Sequence, residues 1–151
     1  MSTVNEKVGS ALEELIIINN DRYHGYKTAA DETKDPDLKE LFTKYSMQSQ
    51  NFGSELRRFS NYTEETPDRD ETKLSGKFYR AWMDVKSALT GHDRKAVLSS
   101  CEFGEDVALK SYNTVMEDSS ELPSEVLTVI QNQKAELQEA HDRVKFMRDS
   151  A

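Results

Sequence analysis

The sequence predicts an all-α protein, a four-helix bundle with one long crossover that carries an extra short helix. Three observations predict it. Apolar residues recur at three- and four-residue steps through four long segments and one shorter one, the mark of helices with one buried stripe. Short turn signals join the first two long segments, and again the last two. Between these two pairs lies a long connection that opens with a polar run.

The first helix is expected over about 4–32, with Val8, Leu12, Leu15, Ile16, Tyr23, Tyr26 and Ala30 as its inner stripe. It stops near Lys34-Asp35-Pro36, since proline disfavours helix at the residue before it, while Asp35 is expected to cap and Pro36 to start the next helix. The second helix, about 36–61, carries Leu38, Leu41, Phe42, Tyr45, Phe52, Leu56 and Phe59. Residues 63–71 hold no apolar side chain and read as a solvated loop. A shorter helix follows over about 75–89 with Phe78, Trp82, Val85 and Leu89 on one side, and Thr90-Gly91-His92-Asp93 ends it and caps the next. The helix over about 94–117 shows Leu98, Cys101, Ala108, Leu109, Tyr112 and Met116. Asp118-Ser119-Ser120 and Pro123 break it from the last helix, about 123–148, whose stripe is Val126, Val129, Ile130, Leu137, Ala140, Val144 and Met147. Two short turns and one long middle connection are the wiring of ferritin-like folds. Tyr26-Lys27-Thr28-Ala29-Ala30 before Pro36 mirrors Tyr112-Asn113-Thr114-Val115-Met116 before Pro123, so the two hairpins read as copies.

A chain of 151 residues, 36% hydrophobic and 32% charged, is the size of one domain and long enough to bury a core. Its longest aliphatic run, Leu15-Ile16-Ile17-Ile18, is far short of a membrane span, and the N-terminus has no basic-then-apolar leader. The lone Cys101 has no partner within the chain for a disulfide, so a reducing cytoplasm is expected. A net charge of −8 repels nucleic acid and anionic lipid. A homodimer pairing Ile17 and Ile18 across subunits is the self-association the pattern offers.

Following each stripe through its middle meets a polar residue where an inward one is due: Asn19, Ser49, Glu105 and Gln133. Asn19 lies seven residues before Tyr26 and Glu105 seven before Tyr112, which places both at one depth. The expected core polar layer is Asn19, Tyr26, Glu102, Glu105, Tyr112 and Gln133, with Glu102 close enough to Glu105 for both carboxylates to face one space. A carboxylate buried unpaired costs several kcal/mol. One reading is a satisfied hydrogen-bonded network with the tyrosine hydroxyls as donors. The other is a partial metal site of Glu102, Glu105 and His141, whose mixed oxygen and nitrogen ligands suit Zn, Mn or Fe. A full di-iron site is excluded because it needs two Glu-x-x-His pairs, and of three histidines His24 points outward beside Tyr23 and His92 lies in a turn. Trp82 reads as a packing anchor, Cys101 as a buried inert thiol, and Gly25, Gly53 and Gly104 as points of close helix approach, or Gly104 as room for a ligand. No phosphate loop, CxxC pair or nucleophile elbow is present, and no catalytic residue is expected.

Four motifs then stand in order: Asp21-x-x-x-Gly25-Tyr26-x-x-Ala29-Ala30, Arg80-Ala81-Trp82-Met83-Asp84-x-Lys86, Cys101-Glu102-x-Gly104-Glu105-Asp106-x-Ala108, and Gln133 with His141-Asp142. Over about residues 10–148 the chain resembles a bacterial family of ferritin-like four-helix-bundle proteins classed as a domain of unknown function. The resemblance implies a bacterial, cytoplasmic, ferritin-like bundle and brings no activity with it. Set beside rubrerythrin-type members of the wider superfamily, Glu105 matches a ligand position, whereas Asn19 stands where the first-helix Glu would be. That departure speaks against peroxidase, ferroxidase and oxygenase activity. The expected function is a non-enzymatic bundle with a degenerate metal site, stress-related and acting through its surface, with no cofactor and no nucleic-acid or membrane partner. The alternative is a metal-binding or carboxylate-based enzyme using Glu102 and Glu105 in the core.

Overall fold

Apolar residues at three- and four-residue steps wind the chain into helices that can bury one side only against each other. The structure, a computed structural model, describes residues 4–59, 76–117 and 122–151. Among these the protein is all helical, with α1 over Val4–Glu32, α2 over Pro36–Arg57, α3 over Gly76–Thr90, α4 over Arg94–Glu117 and α5 over Ser124–Asp149. The expected loop at 63–71, the residues beyond 59 assigned to the second helix, the Ser75 start of the short helix, the Phe78 side chain and the Asp118–Ser120 break lie outside the described residues. No described helix is long and apolar enough to cross a membrane.

The helices pack as two antiparallel hairpins, α1 with α2 and α4 with α5, joined through contacts of α1 with α4 and of α2 with α5. α3, carried by the crossover, packs on α4 and reaches α1. Two apolar clusters fill the interior. Val8, Leu12, Leu15, Ile16, Phe52, Leu56, Ile130 and Leu137 belong to one, and Ala29, Leu38, Phe42, Val85, Leu98, Cys101 and Val144 to the other. Polar side chains at mid-length lie between them.

Several local expectations need correction. Tyr23 is only half-buried, and the inward residue at that turn of α1 is Arg22, at 0% exposure. α2 ends at Arg57 because the chain tightens into shorter-range bonds, Arg58 N–H to Glu55 C=O at 3.3 Å and Phe59 N–H to Leu56 C=O at 3.2 Å. Pro36 opens α2 as expected, but the Asp35 carboxylate makes no capping bond and accepts from Arg94 instead, at 3.3 Å. Ile17 and Ile18 are half-buried, since α1 is flanked by three helices, and among the described residues the large apolar side chains left exposed are Met47, Met83, Phe103 and Phe146.

The glycines divide in the same way. At Gly25 a Cβ would fall 2.3 Å from the Trp82 ring, so only glycine lets the indole of α3 lie on α1, edge to face with Tyr26 at 4.8 Å. Gly104 would meet Ala81 and Trp82 at 3.6 and 3.7 Å, ordinary contact, so it marks neither a tight crossing nor space for a ligand. Gly53 is hemmed only by the movable guanidinium of Arg57.

The turn from α3 into α4 closes with paired bonds, Asp93 N–H to Ala88 C=O and His92 N–H to Leu89 C=O, both at 3.1 Å. The Asp93 carboxylate then caps α4 by accepting from Ala96 N–H at 3.0 Å. The left-handed position of this motif, usually glycine, is filled by His92 at φ 55°. His92→Gly is therefore expected to stabilise the fold by about 0.5–1 kcal/mol, read as a higher urea midpoint. An unchanged or lower midpoint would show that the His92 backbone is not strained.

Candidate functional site

Leu15, Asn19, Arg22 and Tyr26 follow one another at steps of four, three and four, so α1 aims all four at the same strip of the interior. Arg22 is the longest and brings a charge. Buried without a partner it would cost several kcal/mol, and α4 supplies the answer with Glu105, also at 0% exposure. The guanidinium Nε donates to Glu105 Oε1 at 2.7 Å and Nη2 donates to Oε2 at 3.1 Å, a two-pronged pair. Nη1 donates to Ser49 Oγ at 2.8 Å and to the Tyr45 carbonyl at 3.4 Å. The guanidinium also lies over the rings of Tyr26 and Tyr45, 5.1 and 5.4 Å from their centroids.

From Arg22 the bonds run outward in two directions without a break. On one side Tyr26 O–H donates to Glu105 Oε1 at 3.0 Å. On the other, Ser49 O–H donates to Asn19 Oδ1 at 3.0 Å, and Asn19 Nδ2 donates to Tyr112 Oη at 2.8 Å and to the Leu15 carbonyl at 2.8 Å. Tyr112 O–H donates to Gln133 Oε1 at 2.7 Å, and Gln133 Nε2 ends the run on the Phe52 carbonyl at 3.2 Å. All four long helices contribute, and none of the seven side chains is more than 1% exposed. The two hairpins thus cross-pair: the tyrosine of each bonds the polar residue that lies seven positions before the tyrosine of the other.

Asn19, Tyr26, Glu105, Tyr112 and Gln133 therefore meet in one layer, while Glu102 does not join them. Three residues of helix turn the side chain by about 300°, leaving Glu102 roughly 60° away from Glu105. Glu102 lies toward α5, where it pairs with Arg148 and approaches His141 Nε2 at 3.8 Å. The two carboxylates do not face one space. Arg22, the key member of the layer, is absent from a reading by hydrophobicity, because arginine is rarely buried. Its signal is the step pattern itself, in which position 22 continues the stripe and position 23 leaves it.

Chemically the layer is closed. Both oxygens of Glu105 accept hydrogen bonds, and a cation approaching either would meet the charge of Arg22. The layer offers one carboxylate and no imidazole, a donor set that does not fit the paired metals of di-iron bundles. Cys101 is a poor nucleophile, since burial and then the Glu105 charge push its thiol pKa well up. Burial works against the charge on Arg22, but Glu105 and the tyrosines around it outweigh that and leave its pKa raised.

The same burial acts on the phenols. Tyr26 is raised far above the ordinary value by desolvation and by Glu105, Tyr112 is raised by desolvation, and Tyr45 is pushed up to about 12 by desolvation and Glu105. An unfolded chain releases these protons near 10, and the Cys101 proton near 8.5, while the folded chain keeps them. Above those values the unfolded state binds fewer protons, so stability falls as pH rises. The urea midpoint is expected to hold between about pH 7 and 8.5 and to drop steadily toward pH 11. A midpoint level across that range would contradict the burial of these groups.

Removing one partner of the buried pair strands the other. Arg22→Met is expected to cost about 3–5 kcal/mol, whereas Arg22→Met combined with Glu105→Leu and Tyr26→Phe should recover most of that loss. Urea unfolding of both variants checks this, and a triple variant no more stable than the single one would refute it.

Residues 7–118, about three quarters of the chain, match the model of a family described as "Domain of unknown function (DUF2383)", and the chain belongs to that family. No curated protein matches the chain.

Proposed function

With no activity attached to the family of which this chain is a member, we propose that the protein is a ferritin-like four-helix bundle whose mid-length layer is built for architecture. In this reading it is non-enzymatic and acts through its outer surface. The wiring supports the bundle: two antiparallel hairpins, contacts of α1 with α4 and of α2 with α5, and a crossover that carries α3. The observation that carries the function is the guanidinium of Arg22 held on both oxygens of Glu105 with no solvent exposure. A cation seeking that carboxylate would have to evict a charged side chain bonded to four acceptor atoms. Acid–base work shared by Glu102 and Glu105 draws no support from the geometry, because the two look toward different helices.

Elemental analysis of protein purified without chelator tests the proposal. No metal is expected whose presence depends on Glu105, in wild type or in Glu105→Gln. Stoichiometric iron, manganese or zinc in wild type that disappears in Glu105→Gln would overturn the reading.

A further inference from the structure

On the flank of α4 beside the layer, Glu102 and Asp106 lie one turn apart and project together toward α5. There they meet His141. The Nε2 atom of His141 is 2.8 Å from Asp106 Oδ1 and 3.8 Å from Glu102 Oε1, and one ligand atom from each of the three residues falls within 4.8 Å of the others. We propose that this trio binds one divalent transition metal ion of the zinc class, clasping α4 to α5.

The spacing suits such an ion. Oxygen and nitrogen ligands at about 2.0–2.2 Å from a tetrahedral zinc stand roughly 3.4 Å from one another, and the two measured separations bracket that value. The surroundings are arranged as the outer partners of a metal-bound histidine usually are. The Nδ1 atom of His141 lies 3.1 Å from Asp142 Oδ1, and that same oxygen accepts from Gln138 Nε2 at 3.1 Å. Arg148 holds the second oxygen of Glu102, leaving the first toward His141. A neutral imidazole has one N–H. With that hydrogen on the Asp142 side, Nε2 offers its lone pair to an ion held between it and the two carboxylates. Glu102 and His141 are each 14% exposed and Asp106 57%, so the ion is gripped on two sides and open to water on the third. One nitrogen and two oxygens favour zinc-like ions over magnesium and calcium, which need more oxygen ligands than this face supplies.

This site is independent of the Arg22–Glu105 layer. Calorimetric titration of the full chain with zinc chloride tests it, with cobalt(II) absorption as a second readout. One zinc per chain is expected, unaffected by excess magnesium. Asp106→Asn, at an exposed position that tolerates the change, should weaken binding by roughly tenfold or more, and so should His141→Ala. His24→Ala and His92→Ala should leave it unchanged. Failure of zinc to bind saturably at millimolar concentration, or binding by Asp106→Asn and His141→Ala as tight as by wild type, would overturn the proposal. Zinc lost with Glu105→Gln but kept in His141→Ala would overturn both this site and the closed layer, whereas the opposite pattern supports both.

Discussion

The pairing of Arg22 with Glu105 sets the terms for the rest of the interior. A guanidinium and a carboxylate, both stripped of water, are tolerable only if nearly every hydrogen and lone pair finds a partner. That requirement recruits Ser49 and the Tyr45 carbonyl on α2 and Tyr26 on α1. Through Ser49 it extends to Asn19, Tyr112 and Gln133. The apolar clusters above and below could slide along one another with modest loss, because hydrophobic contact has no direction. The layer cannot slide, since a shift of one helix by a single turn would break several of its bonds at once. Apolar burial supplies the driving force, and the polar layer sets the register.

The two hairpins handle the same position differently. Three residues after the polar residue, α1 has Arg22 and α4 has Ala108, both fully buried. One hairpin brings a guanidinium to this position and the other a methyl group.

The helices themselves were legible from the chain. Stripe spacing placed α1 and α4 at the limits observed, and the helices missed their limits where backbone bonds of the last turn, and not side-chain pattern, decided the end, as at Arg57. Within the layer, Asn19, Tyr26, Glu105, Tyr112 and Gln133 showed themselves as polar residues on apolar stripes. Arg22 did not, because composition argues for an exposed arginine and only its partner on another helix argues otherwise. Glu102 misled for the opposite reason: closeness in sequence to Glu105 suggested a shared space, but the turn of the helix separates them. The gathering of Asp106 with His141 depends on how α4 meets α5, and no local pattern encodes that.

Asymmetry between the hairpins also decides which assemblies fail. Two first hairpins from separate chains, packed face to face, would bring two arginines together with no acid between them. Two second hairpins would oppose their carboxylates with no base to quench them. Either mismatch leaves like charges facing each other out of water, so the pair favours the union of unlike hairpins.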